Sequence, residues 1–261
     1  MIEICALASG SNGNCYYVGN EVDAILIDAG ITCKQILCRM RDKYLDPQKI
    51  RAVFISHEHS DHVRGIRVLT KKLDIPAYLT RNTFKSLYYT NQPDAVRFFE
   101  TGEPVEVASF KVHPFLKSHD ASEPTSFRIE SMGVNVGVFT DIGAPCVNVI
   151  AHLNLCNALF LETNYDDKML WEGTYPYYLK KRIGSEVGHL SNKQAFELLK
   201  EHACKELQCV FLSHLSAENN TPQKAFEEIM PLSDRFEVRL TSRYEPGEVY
   251  ELFGPTTKIQ G

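Results

Sequence analysis

The chain has 261 residues, 44% of them hydrophobic and 23% charged, with a formal net charge of −5 and a pI near 6.0. That composition is ordinary for a folded enzyme with a sizeable core, and it argues against a generically basic nucleic-acid coat without excluding a local basic track. No apolar run approaches the ~18 residues of a membrane span, and the N-terminus lacks the positive and apolar regions of a secretion signal, so a cytoplasmic protein with one domain, 1–261, is expected.

The chain opens as strand, polar glycine loop, strand, turn, strand: 2–8, then Ser9-Gly10-Ser11-Asn12-Gly13-Asn14, then 15–18 and 24–28. Short consecutive strands ahead of any helix predict a mainly antiparallel or mixed sheet. Helical periodicity follows at 34–44, 64–72 and 82–89, separated by apolar strands at 52–56 and 77–80. The middle returns to strands at 105–115, 125–130 and 134–140, with Met132-Gly133 as the last turn. Strands at 157–162, 208–213 and 235–240 then alternate with helices at 193–202 and 222–230, the second opened by Thr221 as N-cap and Pro222 at the first helical position. Two strand-rich halves, each with its own helices, predict an α/β sandwich rather than a barrel.

Eight cysteines form no Cys-x-x-Cys pair and lie mostly in apolar segments, so they read as reduced core thiols. Cys15, beside the polar loop, reads as a small buried hydrophobe, with a reactive thiol as the alternative.

The run Ile55-Ser56-His57-Glu58-His59-Ser60-Asp61-His62 compresses His57, His59, Asp61 and His62 onto the loop leaving strand 52–56, where open α/β sheets place their ligands. Imidazoles with a carboxylate suit Zn²⁺, with Mn²⁺ or Fe as alternatives. Asking which other histidine or aspartate ends a strand adds His119, Asp141 and His214. Seven ligands exceed one coordination sphere, whereas two divalent ions ~3.5–4 Å apart, bridged by a carboxylate, would use them. His113, inside a strand and before a proline, and His152 and His202, in helical patterns, read as structural. His189, in Gly188-His189-Leu190-Ser191 at a helix start, is either a capping-loop residue or, being surplus to the ligand set, a proton donor to a leaving group.

With its isolated His119, Asp141 and His214, the His57–His62 run resembles the metallo-β-lactamase superfamily in its two-metal form, which implies a four-layer αββα sandwich. The order Asp141, Glu162, Gly188-His189-Leu190-Ser191 and Leu212-Ser213-His214-Leu215-Ser216 resembles the tRNase Z branch, which implies that His189 assists phosphodiester cleavage. Nearly the whole chain is similar to the YycJ/WalJ family, through Leu7-Ala8-Ser9-Gly10-Ser11-Asn12-Gly13-Asn14-Cys15, Ser118-His119-Asp120-Ala121, Thr140-Asp141-Ile142-Gly143, Leu161-Glu162-Thr163-Asn164-Tyr165-Asp166 and His214-Leu215-Ser216-Ala217-Glu218-Asn219-Asn220-Thr221. That resemblance implies a double-strand DNA exonuclease. The interval 119–141 has no room for the tRNA arm of tRNase Z, and 141–189 none for a β-CASP insert, which weakens tRNA maturation and mRNA decay.

On this reading Asp61 orients the attacking water while ligating, and Glu162 holds His189 in its donor tautomer. Ser9, Ser11, Asn12 and Asn14 offer donors to a phosphate, unless their loop is only a turn. Lys180, Lys181 and Arg182 form the densest basic cluster and a candidate DNA contact, with the Arg64/Arg67 and Lys71/Lys72 pairs behind them. No organic cofactor and no membrane contact are implied. Two rival classes stay open: a small-molecule hydrolase acting on thioesters, lactones or cyclic phosphodiesters, and a metal-bound regulatory protein without turnover.

Overall fold

A computed structural model describes residues 1–254; residues 255–261, included in the one-domain expectation, lie outside the described residues. The first sheet and its helices are built from β1 (Ile2–Ala8), β2 (Cys15–Gly19), β3 (Ala24–Ile27), α1 (Cys33–Asp42), β4 (Ile50–Phe54), α2 (Ser60–Val63), α3 (Ile66–Leu73), β5 (Ala77–Leu79), α4 (Arg81–Ser86) and β6 (Val96–Phe98). The second comprises β7 (Val105–Val107), β8 (Phe110–Leu116), β9 (Thr125–Ser131), β10 (Val134–Phe139), α5 (Val147–Leu153), β11 (Ala158–Glu162), α6 (Asp167–Glu172), α7 (Tyr177–Ile183), α8 (Asn192–His202), β12 (Cys209–Ser213), α9 (Pro222–Ile229) and β13 (Glu237–Leu240). The chain then returns to the first sheet as β14 (Tyr250–Leu252).

The strand orders are β14-β1-β2-β3-β4-β5-β6 and β7-β8-β9-β10-β11-β12-β13. Both sheets start antiparallel and turn parallel, one from β3 onward and the other from β10 onward. Along β1, Ile2, Ile4 and Ala6 enter the layer between the sheets, beside Phe54, Phe127 and Phe160. Cys5 and Leu7, on the other face, meet Ile36 and Met40 of α1 and Ile66 and Leu69 of α3. A third apolar layer joins Phe139, Leu159 and Leu161 to Val149, Leu198 and Ile229 on α5, α8 and α9. Strands covered on both faces read as continuous apolar runs. The architecture is the four-layer αββα sandwich.

Several boundaries differ from the sequence reading. The expected strand 105–115 is a hairpin, reversed at Ala108 with φ 50°, and an alanine gives no turn signal. The strand expected at 52–56 sits two residues earlier, which frees Ile55, Ser56 and His57 for the loop. The short β6, α6, α7 and β14 lack enough periodic residues to announce themselves. Among the described residues, no helix is long and apolar enough to cross a membrane.

Candidate metal centre

The carboxyl ends of the parallel strands meet at one edge of the sandwich, where the strand-end residues Asp28, Asp141 and His214 converge on α2. Each of the three adopts a positive φ, 62°, 55° and 57°, a region uncommon for L residues but one in which Asp and His are enriched. Their clustering at one edge is in keeping with a functional site. His59 is the N-cap residue of α2, whose single turn presents Asp61 and His62. That turn is locked by Asn14 N donating to Asp61 O at 2.8 Å and Ala29 N to His62 O at 2.8 Å. Gly30 approaches so closely that a Cβ there would lie 1.6 Å from Asp61 O.

His57 Nε2 faces His59 Nδ1 at 3.0 Å. With His119 they form one group of donor atoms all within 4.8 Å; Asp61, His62 and His214 form a second, and His57, His62 and Asp141 a third that joins them. Asp141 Oδ1 lies 3.8 Å from His119 Nε2 and 3.5 Å from His214 Nε2, while its Oδ2 lies 3.2 Å from His62 Nε2. Asp61 Oδ2 is 3.5 Å from His62 Nε2 and 3.7 Å from His214 Nε2. Two donors each ~2.0–2.2 Å from a tetrahedral ion stand about 3.3–3.6 Å apart, so these spacings suit divalent ions.

The outward ring nitrogens make the same point. Ser56 Oγ holds His57 Nδ1 at 2.9 Å, Asp28 Oδ2 holds His62 Nδ1 at 2.7 Å, Gly188 O holds His119 Nδ1 at 2.9 Å, and Glu162 Oε1 holds His214 Nδ1 at 3.0 Å. Each Nε2 is thereby left to the interior, the arrangement that orients metal-binding imidazoles. His119 Nε2, His214 Nε2 and Asp141 Oδ2 are buried without an aligned hydrogen-bond partner. Buried polar atoms are seldom left so, and a cation among them would satisfy all three.

A profile of the beta-lactamase superfamily domain matches residues 23–214. The chain belongs to the beta-lactamase superfamily. It is 32% identical over 227 residues to exodeoxyribonuclease YycJ of Bacillus anthracis, covering 86% of each chain. It is 31% identical to exodeoxyribonuclease WalJ of Streptococcus pneumoniae over 224 residues, 84% of this chain and 83% of that one. The metallo-beta-lactamase fold protein YhfI of Bacillus subtilis superposes with a TM-score of 0.73 at 19% identity, over 96% of this chain and all of that one, which shows the shared fold.

In this superfamily member the electrostatics divide the histidines. Burial, then the neighbouring His62, holds His57 well below its ordinary value, and burial pushes His119 down to about 4. Burial acts the same way on His62 and His214, but carboxylates outweigh it: Asp28, Asp141 and Asp61 hold His62 well above its ordinary value, and Asp141, Asp61 and Glu162 bring His214 to about 10. The acids respond in kind. Burial would raise Asp61 and Asp141, yet His62 and His214 beside them keep both lowered. Glu162, fully buried, is held at about 2 by His189 and His214 against the same burial. Its Oε1 also lies 2.8 Å from His189 Nδ1, and its Oε2 accepts from Ile142 N at 2.6 Å and Leu190 N at 3.2 Å.

The expected substrate-binding residues separate. Ser11 lines the site cavity, but Asn12 turns to Arg243 O at 3.1 Å. Ser9 and Asn14 are buried: Ser9 Oγ accepts from His214 N at 2.8 Å, and Asn14 Nδ2 reaches Gly10 O at 3.2 Å and Asp61 Oδ2 at 3.3 Å. Both therefore brace ligand candidates instead of meeting substrate. Lys180 Nζ is occupied by Trp171 O at 2.8 Å and Gly173 O at 2.7 Å, and Arg182 pairs with Asp120 Oδ2 at 2.6 Å. Lys181 is exposed, 5.2 Å from the Tyr177 ring centroid. Cys15 is fully buried, with its thiol raised well above its ordinary value by that burial, which supports the hydrophobe reading.

Two participants escaped the sequence reading. Asp28 also ends a strand, so the test that found Asp141 finds it too once applied to 24–28. Lys117 is buried with its Nζ 2.6 Å from Thr140 O, and no sequence signal distinguishes it from a surface lysine.

Proposed function

We propose that the protein is a metal-dependent DNA exonuclease working through two divalent ions, Zn²⁺ or Mn²⁺, with Fe as a further option. His57, His59 and His119 would hold one ion, Asp61, His62 and His214 the other, and Asp141 would lie between them. The observation that carries the reading is His189: it lines the ligand-lined cavity with its Nδ1 fixed by Glu162 at 2.8 Å, and the donor group it shares with Asp141, Glu162 and His214 is distinct from both three-residue sets. The relatives named exodeoxyribonucleases support the choice of substrate.

Bound divalent ions supply charge neutralisation for a phosphate and an acidified water. The chain's own residues do the rest. Glu162, ionised and buried, accepts a hydrogen bond from Nδ1–H of His189, which turns Nε2 to the cavity as the atom that would pass a proton from the doubly protonated ring to the leaving oxygen. Asp61, anchored through its backbone to Asn14, orients the water. Asp28, Ser56 and the Gly188 carbonyl keep three imidazoles in one tautomer.

The test uses Mn²⁺-loaded and Zn²⁺-loaded protein on end-labelled duplexes, beside His189→Ala. Wild type should shorten the strands progressively, and the variant should retain its metal and lose roughly 10²–10⁴ in rate. Metal loss in the variant would make His189 a ligand. Turnover of thioesters or lactones with no DNA cleavage would move the assignment to the small-molecule hydrolase.

A further inference from the structure

The ligand cluster opens into a cavity of about 250 Å³ whose facing wall is Tyr175, Leu179 and Ile183, with Arg182 at its edge. A larger cavity of about 510 Å³, near Asn135, Asn157 and Gln208, holds none of the ligand candidates. The wall is firmly mounted. Tyr175 and Leu179 pack on Tyr165, Leu170 and Ile183, forming a small apolar core under α6 and α7. Arg182 grips Asp120, next to His119, and Asp120 N donates to Val187 O at 3.0 Å. At Gly143 a Cβ would lie 2.1 Å from Glu186 O, so the segment beyond α7 is pressed against the loop after Asp141.

Leu179 and Ile183 contribute nothing to holding a phosphate, which calls for cations, N–H or hydroxyl donors, and of the three only Tyr175, through its hydroxyl, could supply one. The wall suits a nucleobase, because every base has a face that stacks on an aromatic side chain. The cavity falls just below the ~300–1,000 Å³ of ordinary ligand pockets, enough for one nucleotide-sized group but not for a stacked base pair. We propose that Tyr175, Leu179 and Ile183 receive the base of a single unpaired terminal nucleotide while its phosphodiester lies at the ligand cluster. This deepens the phosphodiesterase reading above and rests on it. A duplex end must then open before cleavage, at least cost where the terminal pair is mismatched.

The experiment compares steady-state kinetics of the metal-loaded protein on thymidine 5′-monophosphate p-nitrophenyl ester and on methyl p-nitrophenyl phosphate, which share the reacting bond but not the base. Wild type should show a KM roughly tenfold lower for the nucleoside ester, the scale of one base-stacking contact. Tyr175→Ala should bring the KM ratio of the two esters towards one, and Tyr175→Phe should preserve it. Tyr175→Leu, which keeps apolar bulk over Leu170, gives the same answer as alanine if the alanine variant fails to fold. Equal KM values in wild type, or an unchanged ratio in Tyr175→Leu, would overturn the base-binding wall while leaving the phosphodiesterase reading intact. Cleavage of neither ester would overturn both.

Discussion

Asp28 Oδ2 lies 2.7 Å from His62 Nδ1, with neither side chain exposed to water. The same carboxylate accepts from Ser56 N at 2.8 Å and Ser56 Oγ at 2.9 Å, and Ser56 Oγ in turn holds His57 Nδ1. One strand-end aspartate thus orients a ligand candidate from each of the two groups. A buried carboxylate so placed is stabilised only if its partners are fixed, and fixed partners are what a metal site requires.

Asp28→Asn, nearly identical in shape, should therefore weaken metal binding by about 10–100-fold, the usual effect of losing a partner behind a ligand. Competition titration with a chromogenic chelator measures it. Unchanged affinity would reduce Asp28 to a packing residue.

Asp141 joins the two ligand groups through His57 and His62, whereas His59 belongs to one of them alone. His59→Ala should retain one ion per chain with high affinity, whereas Asp141→Ala should lower occupancy at both sites. Metal analysis after dialysis distinguishes them. A wild type that holds at most one ion when fully reconstituted would defeat the dinuclear reading.

His152 lies outside the site, stacked on Phe115 with ring centroids 4.0 Å apart, and its Nδ1 accepts from Arg128 Nε at 3.3 Å. Burial, then Arg128, pushes its value down to about 4 from an ordinary 6.5. The unfolded chain consequently binds the extra proton in this window, and stability is lost as pH falls from about 6.5 towards 4. Half-burial limits the effect to the order of 1 kcal/mol. Urea unfolding of metal-free protein at pH 7.5 and 5.0 should show a smaller acid loss for His152→Gln than for wild type; equal losses would refute the assignment.

The sandwich and the seven candidate ligands were legible because each rests on a local pattern: apolar runs covered on two faces, and a polar residue where a run stops. Long-range pairings were not. Ser9 and Asn14 look like a phosphate loop until β12 brings His214 against one and α2 brings Asp61 against the other. Lys117 sits in Leu116-Lys117-Ser118 with no hint of burial, because the carbonyl that receives its ammonium, Thr140 O, lies far along the chain after β10. Turn residues also misled: at Ala108 the hairpin is fixed by strand pairing, which overrides the residue's own preference.

The basic cluster invites the last prediction, because the three side chains have different duties. Lys180 donates to two backbone carbonyls at the end of α6, so Lys180→Ala should cost about 1–2 kcal/mol of stability and leave DNA affinity largely unchanged. Lys181, exposed beside Tyr177, is free to meet a phosphate, and Lys181→Ala should lower the magnitude of the log affinity against log salt slope by up to ~0.9 for a duplex contact. Arg182 is tied to Asp120 beside His119, so Arg182→Ala should disturb metal-dependent turnover more than the salt slope. Thermal melts, salt-dependent binding and kcat on a small diester, measured on all three variants, separate these effects. A uniform loss of DNA affinity across the three would show instead a single electrostatic patch acting as one.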